Sequence, residues 1–501
     1  MVLGVTLVVA AAGLAFPQLS TQAFCAPSPH FSLRPATRSR SVQPRCAAES
    51  SDRESIPSRW RRKTAPDRAL ESLPAPARSA LSLGGIVAID VALRRIFLAR
   101  AISFPSSLAG MLWLFVSLCA TQLASPATAE RIFSAAKPGC AVISKWLACF
   151  FVPNLVLLPL VLKMGALDAA RLSLIIAGGA LVSLPAGALV ASAADAASGT
   201  SPPATTSATT SAKPAGPPFL PSTVSYLRAL SLVSGACAAV SSRVSFGAAA
   251  PLVGPLSWVC MLSSTLYGFV LGSGFPAKVR ALVHPLITCT LLTQAAVGAL
   301  ALATARPVGS VLRSYLIPGA APLAAPGNAL LFMLGPATLS FGFNMFERRK
   351  LMRASAAAVA ASTTVASVVG LFGTAAAGRL LSLSAPLRLA ALPRQCTAPL
   401  AIAIANILGA DPSLAATIVV VTGLGVANFG AALLDQLKVS SPVARGLAMG
   451  GAGHGLATAA MASEKEAFPF AAIAMALNGA MSTILVSLPA VRSLLLAVAG
   501  A

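Results

Sequence analysis

The sequence has few charged residues, and most of those are basic. Only 10% of its 501 residues are Asp, Glu, Lys or Arg, and 37 Lys and Arg stand against 14 Asp and Glu. Hydrophobic residues make up 56% of the chain, and the mean hydropathy is +0.80. Because a soluble domain has about 25% charged residues, this composition excludes a soluble globular protein and indicates a membrane protein.

The basic residues do not form a nucleic-acid-binding surface. Eleven of the 37 Lys and Arg lie between Arg34 and Arg78, and most of the others occur singly at the ends of apolar segments. The sequence has no basic patch with interleaved aromatic residues, so it predicts no nucleic-acid partner. We interpret the positive charges as targeting and topology signals.

Cysteine and the common catalytic motifs are also sparse. The nine cysteines include no C-x-x-C pair, and most lie inside apolar segments, which is typical of buried free thiols rather than metal ligands or disulfides. The sequence contains no D-D-x-x-D, H-E-x-x-H or G-x-S-x-G motif and no paired aspartates within its apolar segments. It therefore gives no support to an enzyme, and we expect no catalytic residue, cofactor or metal.

Apolar segments of about 20 residues, long enough to cross about 30 Å of hydrocarbon, recur from residue 81 onward. About twelve spans are expected in the segments 81–99, 104–123, 139–162, 171–194, 223–241, 248–271, 281–305, 326–344, 355–377, 397–432 (long enough for two), 444–462 and 468–488. The sequence therefore predicts an all-α fold, a polytopic transmembrane helix bundle of about 12 spans in a lipid bilayer.

The first 80 residues differ in composition from the rest. Residues 1–23 contain a short apolar core and are interpreted as a signal peptide, with a short first transmembrane helix as the alternative. Residues 24–48 contain four Arg and no acid, the composition of a plastid transit peptide. This order resembles the bipartite presequences of algae with complex plastids. Residues 49–80 are polar and rich in proline, and we expect them to be disordered.

A low-complexity stretch divides the apolar part of the chain into two blocks. Residues 196–221 consist mainly of Ala, Ser, Thr, Pro and Gly and cannot pack a core, so we interpret them as a linker. The first block, 81–195, has room for about four spans, and the second, 222–501, has room for about eight.

Motifs in both blocks resemble bacterial membrane proteins. In the first block, "PSSLAGMLWLF" (105–115) and "FFVPNLVLLPL" (150–160) are similar to LrgA-type proteins. In the second block, five motifs are similar to LrgB-type proteins: "LGPATLSFGFNMFERRKLMR" (334–353), "LPRQCTAPLAIAIA" (392–405), "SLAATIVVVTGLGVANF" (413–429), "PVARGLAMGGAGHGLATAAM" (442–461) and "LPAVRSLLLAVAG" (488–500). The two types fused behind a transit peptide resemble the plastidal glycolate and glycerate translocators of plants.

This resemblance implies a carrier in the plastid inner envelope that serves photorespiration. It would exchange glycolate for glycerate, which are small 2-hydroxy monocarboxylates, or move either acid with a proton. Because the bacterial relatives are described as holin-like, a regulatory pore is the alternative. A carrier for another small monocarboxylate, such as pyruvate, also stays open. The sequence also leaves open the coupling ion, the membrane orientation and the formation of a homo-oligomer.

A carrier for such an acid needs positive potential for the carboxylate and hydrogen-bonding groups for the hydroxyl. Transporters place these sites at broken helices near the middle of the membrane, because the free N–H groups of a half-helix attract anions. The second block has three predicted interruptions, at Gly335 with Pro336, at Pro393, and in the glycine run 450–455. We therefore expect broken helices in the C-terminal block.

The interruption at Pro393 supplies the first candidate residues. Arg394 is expected to hold the carboxylate in a two-pronged hydrogen bond, with Gln395 and Thr397 adding amide and hydroxyl contacts. A loop arginine near the membrane surface is the alternative for Arg394. Asn428 is a further candidate, because an amide in an apolar span needs a partner; a bond to a neighbouring helix is its alternative.

The glycine run surrounds His454, one of only three histidines. Its small neighbours let a ligand approach the backbone, so His454 and Thr458 are expected to contact the substrate. An unperturbed imidazole pKa of about 6.5 also suits proton coupling, with Glu464 as a relay. The alternatives are a histidine that hydrogen-bonds to a carbonyl of another helix and a solvated Glu464 at a membrane face.

Overall fold

The computed structural model describes residues 73–102, 105–161, 164–197, 219–243, 252–276, 279 and 285–500. Its regular elements within these ranges are helices. In the first block they are α1 (Ala75–Ala99), α2 (Ser106–Ala124), α3 (Pro126–Trp146), α4 (Val152–Val156), α5 (Leu158–Val161) and α6 (Ala166–Ala197). The predicted segments 1–23 and 24–48, and most of 49–80 and 196–221, lie outside the described residues.

The second block continues the helical pattern, with several short helices among the long ones. Its helices are α7 (Pro221–Arg243), α8 (Val253–Ser273), α9 (Pro285–Ala303), α10 (Val308–Tyr315), α11 (Pro326–Phe332), α12 (Leu334–Glu347), α13 (Arg349–Ala354), α14 (Ala356–Val368), α15 (Thr374–Leu380), α16 (Ala385–Ala391), α17 (Ala398–Leu408), α18 (Pro412–Gln436), α19 (Pro442–Ala460), α20 (Phe468–Ser487) and α21 (Pro489–Ala499). A π-helical turn, Val369–Gly373, joins α14 to α15.

Ten helical segments in the described ranges are long and apolar enough to cross a membrane, when Pro126–Leu160, Pro326–Glu347 and Ala356–Leu380 are each counted as one segment. This confirms the predicted polytopic helical bundle, with somewhat fewer spans than the expected twelve. The segment 397–432, expected to hold two spans, forms the short α17 and the long α18 instead. Neither α1, which contains the charged Asp90 and Arg94, nor α19 is among the ten.

The first unusual element is a hairpin of two short helices, α16 and α17, which we call hairpin A. Its turn, 392–397, is non-helical and almost entirely buried. The residues next to its two ends, Leu381 before α16 and Ala410 and Leu414 after α17, belong to one small apolar cluster. Since α17 has only 11 residues and is about 16 Å long, it crosses about half of the hydrocarbon. Hairpin A therefore enters the membrane and returns to the same face.

The second hairpin lies within α19 and the short turn Met461–Ser463, and we call it hairpin B. The backbone leaves helical geometry at Gly453 (φ −127°, ψ 16°) and His454 (φ 43°, ψ −139°). On either side of this break, Arg445 and Glu464 meet in a two-pronged ion pair, with both N···O distances 2.8 Å. A straight helix would place these residues about 28 Å apart, because they are separated by 19 residues in the sequence. The chain therefore reverses direction at His454.

The two hairpins enter from opposite faces of the bundle. α18 begins directly after hairpin A and runs for 25 residues, about 37 Å, which is enough to cross the membrane. Near its far end, the Asp435 carboxylate lies 2.6 Å from Arg445 Nη1 at the base of hairpin B. The turns of both hairpins consequently point toward the middle of the bundle. The predicted interruptions at Pro393 and in the glycine run are confirmed as helix breaks.

Helix α6 of the first block packs against both hairpins. Its Gly179 lies against the guanidinium of Arg394 in hairpin A, and its Gly187 lies against Ala448 in hairpin B. A side chain at Gly179 would occupy the position of the Arg394 guanidinium, so the absence of a Cβ makes this approach feasible. The linker separates the blocks in sequence, but α6 joins the second block in space.

We expect both ends of hairpin B to face the same side of the membrane. In a variant whose native cysteines are replaced by alanine, Lys438→Cys and Lys465→Cys should each react with a membrane-impermeant maleimide from one side of sealed proteoliposomes. Ser413→Cys, near the start of α18, should react only from the opposite side. If positions 438 and 465 were labelled from opposite sides, α19 would be a spanning helix and the re-entrant assignment would be wrong.

Candidate functional site

Asn478, near the middle of α20, connects the tips of the two hairpins. Its amide nitrogen donates to the Gln395 carbonyl of hairpin A at 3.0 Å and to the Gly451 carbonyl of hairpin B at 3.1 Å. Its amide oxygen accepts a hydrogen bond from Ser367 of α14 at 2.9 Å. All of these groups are buried. The two carbonyls share one donor atom and therefore lie within about 6 Å of each other.

Arg394 lies at the tip of hairpin A, and its side chain is buried without an acidic partner. Its Nε donates to the Thr374 hydroxyl at 2.8 Å, while Nη1 is buried and has no hydrogen-bond partner. In the described part of the chain, no carboxylate forms an ion pair with it. The residue is only 2% exposed, so it is not the surface arginine considered as its alternative. A buried cation of this kind costs several kcal/mol unless an anion binds it.

Gln395 follows Arg394 and presents an unpartnered acceptor. Its Nε2 lies 2.7 Å from the Ser183 hydroxyl of α6, and that hydroxyl donates to the Gly179 carbonyl at 2.5 Å. Because the Ser183 proton is already used, Ser183 must accept from Gln395, which fixes the orientation of the amide. The remaining atom, Oε1, is buried beside Gly370 of the π-helical turn and has no partner. Gln395 Oε1 can therefore accept a hydrogen bond from a bound ligand.

The same helix break contains a third unpartnered group and a helix N-terminus. Thr397 is the N-cap residue of α17, but its hydroxyl makes no cap hydrogen bond and is buried without a partner. The first N–H groups of a helix lack intrahelical acceptors and carry partial positive charge. The break thus brings together a cation, an amide acceptor, a hydroxyl and a positive helix end. This combination suits a small anion that also has a hydrogen to donate.

His454 occupies the tip of hairpin B, where its ring contacts α18. Nε2 lies 2.8 Å from the Val419 carbonyl, and the ring packs against Gly423 one turn later. A carbonyl only accepts hydrogen bonds, so Nε2 carries the proton in this contact. Thr458 donates to the His454 carbonyl at 2.8 Å and lies 3.2 Å from the Ala471 carbonyl. Both side chains are thus engaged in bonds within the protein.

The other two predicted residues lie apart from these tips. Asn428 is on α18, five residues after Gly423, which rotates it by about 140° away from the face that contacts His454. Its amide oxygen is buried without a partner. Glu464 binds Arg445 at the base of hairpin B rather than approaching His454. In the described residues, no three His, Cys, Asp or Glu side chains form a group suited to a metal.

Several residues of the site had no distinctive signal in the sequence. Ser183, Ser367 and Thr374 are short hydroxyl residues in apolar helices, where such side chains commonly bond to their own helix backbone. Asn478 had a detectable signal, because an amide in an apolar span is costly without partners. Asn428 meets the same criterion, but the structure gives Asn478 the more central position.

The fold and this site define a helical membrane protein with two opposed re-entrant hairpins around a buried polar centre. Residues 265–491 match the LrgB-like family. The chain is 39% identical over 427 residues to "Plastidal glycolate/glycerate translocator 1, chloroplastic" of Arabidopsis thaliana, covering 84% of this chain and 80% of that protein. It is 25% identical over 168 residues to the uncharacterized protein YwbG of Bacillus subtilis (strain 168), covering 34% of this chain and 70% of that protein. No solved structure matches the chain.

The chain therefore belongs to the LrgB-like family, as its motifs predicted. The alignment with the Arabidopsis protein is longer than the whole segment 222–501, so it extends into the first block. Both hairpins and Asn478 fall inside the LrgB-like match, whereas α6, with Gly179 and Ser183, precedes it. The site thus combines family residues with a helix from outside the matched region.

We expect Asn478→Leu to destabilise the protein strongly. Leucine has a similar size, but it leaves the Gln395 and Gly451 carbonyls without their shared donor, at a cost of about 1–3 kcal/mol for each unsatisfied group. The Ser367 hydroxyl keeps the Thr363 carbonyl as an acceptor. The midpoint of thermal unfolding of the detergent-solubilised protein should fall by several degrees. The matched control is Asn344→Leu, which removes only the local bond to the Ser340 carbonyl. Equal midpoints for the two variants would show that Asn478 does not join the hairpins.

Proposed function

We propose that this chain is a plastid membrane carrier that exchanges glycolate and glycerate. The observation that carries the proposal is the tip of hairpin A, where the described residues give buried Arg394 no acidic partner and the neighbouring Gln395 Oε1 no donor. Each group lacks what a 2-hydroxy acid supplies. The substrate carboxylate would bind Arg394, and its hydroxyl would donate to Gln395 Oε1. The name of the Arabidopsis relative supports the same pair of substrates.

The position of the site supports transport rather than simple binding. The hairpins enter from opposite faces, and their tips share the Asn478 amide. Movement of one hairpin away from the shared contact would open the site toward one face only, as alternating access requires. Because membrane interiors tolerate irregular backbone only in protein or beside a cavity, the non-helical tips are suited to line such a path.

The proposed location is the inner envelope of the plastid. The acid-free segment 24–48 has the composition of a transit peptide, and the Arabidopsis relative is described as chloroplastic. The ten apolar helices of the described residues are consistent with a multi-pass protein in that membrane. We propose no catalytic role for any residue.

Counter-exchange in proteoliposomes tests the function. Protein reconstituted into liposomes loaded with unlabelled glycerate should take up labelled glycolate with saturation. Pyruvate should compete roughly tenfold less well than glycerate, because its keto oxygen cannot donate to Gln395 Oε1. Non-saturable leakage of unrelated solutes would indicate a pore. An absence of uptake against a counter-substrate gradient would contradict the carrier.

Arg394→Met separates substrate binding from folding. Since the variant removes a buried charge without an acidic partner, the substrate-free protein should unfold at the same or a higher temperature than the wild type. The stabilisation by saturating glycolate, about 2.7 kcal/mol at one hundred times the Kd, should disappear together with exchange. Arg243→Met, at an exposed arginine outside the site, is the control. Preserved stabilisation by glycolate in Arg394→Met would remove Arg394 from the proposed site.

Proton coupling through His454 is a separate proposal. With Nε2–H held by the Val419 carbonyl, Nδ1 is the ring atom that can take up a proton. His454→Gln retains an N–H donor for Val419 but does not titrate near neutral pH. We expect the variant to exchange glycolate for glycerate while losing any stimulation by an inward proton gradient. If stimulation were unchanged, His454 would have only its structural role on α18.

A further inference from the structure

A cavity lies on the outside of the bundle, away from the hairpin tips. It is a groove of about 560 Å³ between α2 of the first block and α13, α14 and α20 of the second. Most of its lining is apolar. The lining includes Phe115, Leu123, Arg349, Arg353, Ala360 and Leu477.

The basic residues of the groove belong to one short helix. Arg349, Lys350 and Arg353 all come from α13. Arg349 is held in place, with its guanidinium 4.2 Å from the centre of the Phe346 ring and Nη1 donating to the Phe346 carbonyl at 3.0 Å. Lys350 and Arg353 are exposed and form no ion pair within the described ranges. The nearby Glu347 interacts with Lys137 at 3.4 Å, so the groove keeps a net positive charge.

The basic residues of the groove lie at one face of the membrane, and its apolar part extends from them toward the middle of the membrane. α13 connects the end of α12 to the start of α14, and the preceding Arg348 lies 4.0 Å from Glu466, close to the base of hairpin B. On α2, the groove extends from Leu123 back to Phe115, which corresponds to about 12 Å of helix. The groove therefore has a basic rim at the membrane face and an apolar channel below it. This arrangement is complementary to an amphiphile with an anionic headgroup.

We propose that this groove is a binding site for an anionic membrane lipid with a phosphate headgroup. Arg349, Lys350 and Arg353 would bind the phosphate, and one acyl chain would lie along Phe115, Ala360 and Leu477. Basic pockets between membrane helices recognise anionic headgroups in this way. A soluble phosphate would leave the apolar channel uncovered, and a zwitterionic lipid would bring a positive charge to the basic rim. The site is independent of the proposed transport function.

The lipid would join the two blocks at a second position. α2 belongs to the first block, whereas α14 and α20 carry Ser367 and Asn478, which hold the hairpin tips together. An acyl chain between α2 and these helices fills a gap that protein side chains leave open. We therefore expect bound lipid to stabilise the folded chain as well as to copurify with it.

Native mass spectrometry of the full chain tests the proposal. The protein, delipidated and then exposed to equal amounts of phosphatidylglycerol and phosphatidylcholine, should retain one phosphatidylglycerol in preference. Lys350→Gln combined with Arg353→Gln should reduce this retention by on the order of tenfold, because each surface charge contributes to headgroup binding. Arg243→Gln combined with Lys438→Gln, which removes two exposed charges elsewhere, should retain the lipid like the wild type. Equal retention of both lipids would overturn the proposal.

A second pair of variants tests the apolar part of the groove without changing charge. Ala360→Phe places a ring in the channel and should lower phosphatidylglycerol retention, whereas Ala357→Phe, at an exposed neighbour outside the groove, should not. Inorganic phosphate in millimolar excess should fail to displace the lipid. Displacement by phosphate, or unchanged retention in Ala360→Phe, would show that the acyl chain does not occupy the groove.

Discussion

The amide of Asn478 is the contact on which the arrangement of the site depends. Both hairpins reverse inside the membrane, and each reversal frees backbone carbonyls from helical hydrogen bonds. Because hydrocarbon supplies no donors, such carbonyls need a partner within the protein. Asn478 donates to one carbonyl in each hairpin and accepts from Ser367. One side chain therefore sets the depth of both tips and ties them to α14 and α20.

The remaining groups at the tip of hairpin A are incompletely bonded, and this gives the centre its chemistry. A fully paired arginine would stabilise the fold and have little affinity left for a substrate. Among the described residues, the Thr374 hydroxyl is the hydrogen-bond partner of the Arg394 guanidinium, and the neighbouring Gln395 Oε1 has none. Leaving these polar groups incompletely bonded lowers the stability of the fold. Close packing elsewhere offsets this loss, for example where Gly446 and Gly450 of hairpin B lie against α20. In the function that we propose, a bound hydroxy acid satisfies both groups.

The sequence predicted where the helices break, but it did not predict the path of the backbone at each break. Proline at 393 and the glycine run both interrupt helices, as expected. Their composition does not distinguish a kink in a spanning helix from a full reversal, since both need residues that leave helical geometry. The evidence for a full reversal at His454 is a tertiary contact, the ion pair between Arg445 and Glu464. His454 itself holds the tip on Val419, which corresponds to the bond to another helix that the sequence left open as its alternative.

The sequence by itself determined a helical membrane protein of the LrgB-like family, because hydropathy and motifs are properties of local segments. It also placed Arg394, Gln395 and Thr397 together, since they are neighbours in one break. Only the tertiary structure decided their partners. Ser183 reaches Gln395 across 212 residues, and Thr374 and Asn478 come from two other helices. A short polar side chain in an apolar helix has the same sequence signature whether it bonds to its own backbone or to a distant hairpin, so packing alone identifies its role.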